Sequence, residues 1–130
     1  MPFVHVRIAG PAPAPEQTRR LQAGVTDLMA EVLGKDRALT AVLVETAPIQ
    51  GWSVGGEPVS VAAHLEATIT AGTNSPDEIA RFNGGASALL KDVLGAGLPV
   101  ATYVVVRQIP ADAWGYDGLT QAARRAARAA

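Results

Sequence analysis

The second residue of the chain is a proline, and that position is where chemistry is first to be sought. A small residue after Met1 permits removal of the initiator methionine, which turns the Pro2 nitrogen into a secondary amine. A free α-amine has a reference pKa near ~8, and a base working at neutral pH is best placed near ~7. An amine at the start of an apolar strand is desolvated, and nearby cations disfavour its protonated form further. Such a neutral amine can take a proton from a carbon alpha to a carbonyl. The plain alternative is that Pro2 serves only the processing of Met1. A chain that keeps Met1 has a non-basic amide at that nitrogen.

Other chemistries find less support. There are no cysteines, which excludes thiolate nucleophiles, disulfides and Cys-based zinc sites. His5 and His64 start different strands, and two histidines without cysteine make no metal site, so none is expected. Gly51 to Gly56 is glycine-rich but lacks the Gly-Lys-Ser/Thr ending of a phosphate loop. The 11 basic and 12 acidic residues leave a net charge of −1, too little to attract nucleic acid or an anionic membrane. No signal peptide and no run of membrane-spanning length is visible, so a soluble cytoplasmic protein is expected.

The elements that must position Pro2 come in duplicate. Pro15-Glu16-Gln17 recurs as Pro76-Asp77-Glu78 and Leu33-Gly34 as Leu94-Gly95, each 61 residues on; Pro48 and Trp52 recur as Pro110 and Trp114, 62 on. One domain over 1–130 is expected, with repeat units of approximately 2–58 and 59–120 and a helical tail over 119–130. In the first unit Phe3 to Ile8 alternates as a strand. Pro15 suits a first helical position, Leu21, Val25, Leu28, Met29, Val32 and Leu33 mark one helical face, and Gly34 is a natural stop. Ala41 to Glu45 reads as a short strand covered on both faces, and Gly55-Gly56 as a hairpin bend.

The second unit repeats the scheme: a strand from Val59 to Thr70, a capping box at Ser75-Pro76-Asp77-Glu78, a helix, and a strand from Tyr103 to Val106. Gly84-Gly85 inside that helix should cost stability, and close packing against the sheet is the one reason at hand. Arg124, Arg125 and Arg128 on the tail read as a solvated cationic face.

Two β-α-β units with right-handed crossovers predict an α/β (α+β) fold: a four-stranded sheet with two helices on one face. The other face is read as an apolar surface that one chain cannot hide, so a closed symmetric oligomer is expected.

The opening Met-Pro, the duplicated β-α-β pattern and the Trp-bearing hairpins resemble the tautomerase superfamily over nearly the whole chain. Leu39-Thr40-Ala41-Val42 and Gly51-Trp52-Ser53-Val54-Gly55-Gly56-Glu57 are similar to the corresponding segments of 4-oxalocrotonate tautomerase. The double length is closer to macrophage migration inhibitory factor. The resemblance implies a homotrimer and an N-terminal proline base, Pro2. Its counterpart in the second unit is Ala63, which is internal, so one base per chain is expected.

Further roles are carried over residue by residue. The resemblance gives Lys35 as the binder of a substrate carboxylate, Tyr103 as a donor to an enol oxygen, and Trp52 or Trp114 as pocket walls. Each has a plain reading beside it. Lys35 follows a helix C-terminus, where a cation offsets the macrodipole; Tyr103, Trp52 and Trp114 serve packing or an interface equally well.

The resemblance to 4-oxalocrotonate tautomerase implies an arginine pair that holds a dicarboxylate, and this sequence departs from it. One position is Leu43, the other lies in the Gly10 to Pro13 loop, and Glu66 to Thr73 also lacks a basic side chain. Arg107 is left as a cation that could substitute from another direction. The expectation is a cofactor-independent keto–enol tautomerase of a small 2-oxo acid or enol, with phenylpyruvate-like monocarboxylates favoured. The rival is a non-catalytic trimeric binding or structural protein on the same scaffold.

Overall fold

The computed structural model describes residues 2–129. Met1, with the question of its removal, and Ala130, the last residue of the expected tail, lie outside the described residues. Strand β1 (Phe3–Ala9), helix α1 (Pro15–Glu31) and strand β2 (Ala41–Ala47) form the first β-α-β unit. A short hairpin, β3 (Ser53–Val54) and β4 (Glu57–Pro58), links it to the second unit: β5 (Ala62–Thr70), α2 (Pro76–Leu94) and β6 (Tyr103–Ile109). A second hairpin, β7 (Gly115–Tyr116) and β8 (Leu119–Thr120), leads into α3 (Gln121–Ala129).

The four long strands make one sheet in the order β2-β1-β5-β6. Within each unit the strands are parallel, and the two units meet through an antiparallel β1–β5 pair. Alternation along β1 sends Val4, Val6 and Ile8 to the helices, where they are essentially unexposed. They join Leu65, Ala67 and Ile69 of β5, Leu21, Val25 and Met29 of α1, and Phe82, Ala86 and Leu90 of α2 in one core. Burying each of the larger side chains stabilises the fold by ~1.5–3 kcal/mol.

Local signals set the ends. Pro15 begins α1, and Gly34 takes φ +68 beyond its end, where the Lys35 N–H reaches the Met29 carbonyl at 3.0 Å. The Ser75 hydroxyl accepts from the Glu78 N–H at 3.2 Å, and the Glu78 carboxylate accepts from the Ser75 N–H at 2.8 Å, closing the capping box. Gly55 and Gly56 have φ of +63 and +79, the handedness a tight hairpin needs.

Several expectations are corrected. Strand β5 starts at Ala62 rather than Val59, β6 runs on to Ile109, and α3 starts at Gln121 because Leu119-Thr120 pairs with Gly115-Tyr116. Strand β2 is covered on one face alone: it is an edge strand, and its Ala41 and Leu43 are exposed.

The glycine in α2 packs against a helix, not the sheet. A Cβ on Gly85 would stand 2.8 Å from Leu28 Cδ2, and one on Gly24 would stand 2.8 Å from the methyls of Leu89. The two contacts are reciprocal, since Gly24 and Leu28 repeat as Gly85 and Leu89, and they let α1 and α2 approach closely. Nothing lies within 4 Å of a Cβ on Gly84.

The open face of the sheet is not the plain apolar surface expected. Phe3 and Leu43 are exposed there, yet β1 and β5 alternate charged and polar residues between them. Glu45 accepts from Arg7 Nε at 3.2 Å and lies 3.0 Å from His5 Nε2; Arg107 Nη1 donates to Glu66 at 3.0 Å. His5 and Arg7 together hold the Glu45 carboxyl below its usual range. Arg124 also departs from expectation, lying 3.8 Å over the Tyr116 ring and donating to the Tyr116 carbonyl rather than being fully solvated.

Candidate active site

Pro2 stands at the head of β1, its side chain fully buried and its carbonyl accepting from the Ala41 N–H at 3.2 Å. Continuing the β1–β5 register one step past Phe3 and Thr68 sets Pro2 across from Ile69. The next residue of β5, Thr70, is buried, and its hydroxyl accepts from the Trp114 indole N–H at 3.2 Å. The backbone carbonyl of Thr70 accepts from Thr73 Oγ1 at 2.6 Å, and Thr73 Oγ1 in turn accepts from Lys35 Nζ at 2.9 Å. One hydrogen-bonded path thus ties Lys35 and Trp114 to the end of β5 beside Pro2. Burial lowers the pKa of Lys35 below its ordinary 10.5, with Glu78 pulling it back up. Beside Trp114 is a hollow of about 310 Å³, also lined by Asp112, Leu119 and Thr120.

The other expected site residues divide by end of the sheet. Arg107 lies beside Thr68, which lies beside Phe3, so it is close to the Pro2 row but on the open face and already paired with Glu66. Tyr103 pairs with His64, which pairs with Arg7, five positions from Pro2. That is roughly 17 Å along the strand, and two strands over. Tyr103 is 66% exposed, too open for a core residue. Trp52 keeps Tyr103 company at that far end, in a hollow shared with Ala63 and His64. Within one chain, therefore, Pro2, Lys35 and Trp114 are neighbours, while Trp52 and Tyr103 gather around Ala63.

Thr70 and Thr73 were not among the expected residues. The stretch Glu66 to Thr73 stands out for lacking a cation, and its hydroxyls are the groups that engage Lys35 and Trp114. Among the described residues no cluster of three or more His, Asp or Glu side chains could hold a metal ion. No helix among them is long and apolar enough to cross a membrane.

A tandem β-α-β chain with a buried proline at its head defines a narrow structural class, and comparisons with known proteins agree with it. The family model described as Tautomerase enzyme matches residues 2–62. A probable tautomerase K2 from Dickeya dadantii (strain 3937) is 42% identical over 60 residues, covering 46% of this chain and 90% of that protein. Among solved structures, a fused 4-OT described as a wild-type symmetric trimer superposes with a TM-score of 0.83 at 20% identity, covering 94% of this chain and 98% of that one. A macrophage migration inhibitory factor-like protein from Entamoeba histolytica gives 0.74 at 19% identity, covering 92% and 97%.

The chain belongs to the tautomerase family and is a tautomerase-type enzyme, an isomerase. The sequence relative is the length of one unit, whereas the structural likeness spans both.

Proposed function

We propose that this enzyme interconverts keto and enol forms of a small 2-oxo acid without a cofactor, using Pro2 as general base after removal of Met1. The observation that carries the proposal is the burial of Pro2 beside the path from Lys35 through Thr73 and Thr70 to Trp114. A desolvated secondary amine stays neutral more readily than a solvated one, so it can take the proton alpha to the carbonyl. Lys35 binds the carboxylate, since it is the cation tied to the Pro2 end without a carboxylate in its hydrogen bond. Its partial burial raises the strength of that pairing. Trp114, fixed by its bond to Thr70, forms a wall for the flat enol. One such cation per site suits a monocarboxylate better than a dicarboxylate.

The chain acts as one cytoplasmic domain of two repeat units, assembled as a homotrimer. In that assembly Tyr103, Trp52 and Arg107 reach a Pro2 site from a neighbouring copy, where Tyr103 can donate to the enol oxygen. The exposure of Tyr103, Phe3 and Leu43 on the open sheet face supports this reading.

Ketonisation of phenylenolpyruvate, followed by ultraviolet absorbance, tests the proposal on a chain shown by intact mass to begin at Pro2. A rate well above buffer that collapses in Pro2→Ala is expected. Equal rates in both, or none in either, would retire the proline-base mechanism in favour of a non-catalytic trimeric binding protein.

A further inference from the structure

Lys35 carries its charge on a long flexible stem, and a freely moving ammonium loses rotamer freedom each time it takes a carboxylate. The turn between β5 and α2 removes much of that freedom beforehand. It is tied to the sheet by the Ala71 N–H, which donates to the Ile109 carbonyl at 2.8 Å. The Thr73 hydroxyl has one proton and donates it to the Thr70 carbonyl at 2.6 Å, so its lone pairs are left to accept. One of them accepts from Lys35 Nζ at 2.9 Å. An ammonium has three N–H groups, so among the described residues two stay unspent.

The next residue, Asn74, holds the backbone that carries Lys35. Its Nδ2 donates to the Leu33 carbonyl at 2.9 Å, two residues before Lys35, and lies 3.4 Å from Glu78 Oε1. The same Glu78 oxygen, whose charge acts on Lys35, accepts from the Ser75 N–H at 2.8 Å. The adjoining Asp36 carboxylate accepts from the Ala38 N–H at 3.0 Å. Both acids are thus engaged by backbone donors, and it is a neutral hydroxyl that meets Lys35.

We propose that Thr73 is a positioning residue: its hydroxyl, seated on the Thr70 carbonyl, holds the Lys35 ammonium with two N–H groups free for the substrate carboxylate. The inference rests on Lys35 as the carboxylate binder of the proposed site. It makes the β5–α2 turn, and not Lys35 alone, a source of affinity for the acid group. Valine copies the shape of Thr73 without the hydroxyl, and serine keeps the hydroxyl.

The chain has two lysines, Lys35 and the exposed Lys91 on α2, so the second is an internal reference for the first. Limited acetylation by acetic anhydride, quantified at each lysine by mass spectrometry, reads the occupancy of Lys35. The probe is phenylglyoxylate, a 2-oxo acid with no hydrogen on the carbon beside its ketone, so protection is measured whether or not Pro2 acts as a base. It should protect Lys35 and spare Lys91. Thr73→Val should raise the concentration for half-protection roughly three- to tenfold, the cost of immobilising one long side chain, while Thr73→Ser stays within about twofold of the parent. In ketonisation of phenylenolpyruvate Thr73→Val should raise KM by a similar factor with kcat falling less, and should add nothing in a Lys35→Met chain.

No protection of Lys35 in the parent, full protection in Thr73→Val, or a Thr73→Ser variant as weak as Thr73→Val would each overturn the proposal. The proline base is scored separately. Thr73-dependent protection with equal turnover in the parent and Pro2→Ala supports the positioning role and removes the base. Pro2-dependent turnover with KM unmoved by Thr73→Val keeps the base and overturns the positioning role.

Discussion

Gly84→Ala and Gly85→Ala sit one residue apart in the same helix and should move stability in different directions. Gly84 is exposed, and an added Cβ meets nothing within 4 Å. Its replacement therefore collects the full helix preference of alanine over glycine, ~0.8–1 kcal/mol. For a chain of this length that is a rise in melting temperature of about 3–6 °C. At Gly85 the same gain is opposed by a Cβ 2.8 Å from Leu28 Cδ2, well inside ordinary contact. Leu28 must turn away or α1 must shift, and overpacking of a well-filled interface costs ~1–3 kcal/mol. The net effect at Gly85 runs from nothing to a loss of about 2 kcal/mol.

Thermal and denaturant unfolding at one fixed protein concentration would measure both variants. Equal stabilisation by the two would refute the close helix–helix approach. A Gly84→Ala variant no more stable than the parent would refute the exposure of that position.

Three other outcomes follow from the site and its surroundings. Lys35→Met should raise KM for a 2-oxo acid roughly tenfold or more while kcat falls less, the pattern of lost substrate binding in steady-state kinetics. The Glu78 carboxyl is held below its ordinary 4.5, first by the Ser75 N–H, so its stabilisation is full above that value and disappears as pH falls through the lowered one. Glu78→Gln should therefore be less stable than the parent near neutrality and match it in acid, as urea melts across pH would record. Burial already holds Lys35 below 10.5 and Glu78 opposes that, so Glu78→Gln should also move the alkaline limb of kcat/KM to lower pH. An unmoved limb would detach Lys35 from catalysis.

Features written in a few adjacent residues were legible in the sequence. Ser75 with Glu78, Pro15, Gly34 and Gly55-Gly56 each act through bonds or backbone angles within one turn, and each does so in the fold. Features that depend on register were not. Pro2, Lys35, Trp52 and Tyr103 look like one set when read along the chain. The antiparallel β1–β5 pair, however, turns the second unit end for end and carries Tyr103 away from Pro2, while β2, parallel to β1, delivers Trp52 to the same far end. Thr70 passed unnoticed because threonine is ordinary in a strand; only the approach of Trp114 from a distant hairpin gives its hydroxyl a task. The open face was misjudged from the mean apolarity of its strands, when alternation sends the valines of β1 inward and His5 and Arg7 outward.

The sheet ends at β2 on one side and β6 on the other, and each outer strand turns a row of backbone N–H and C=O groups to an edge with no strand beside it among the described residues. An edge of this kind is a template for another chain. A copy that covers it engages the folded form and not the unfolded one, so its occupancy enters the folding equilibrium by mass action. In the proposed homotrimer the stability of the fold becomes a function of how much of the protein is present, and dilution acts on it as a denaturant does.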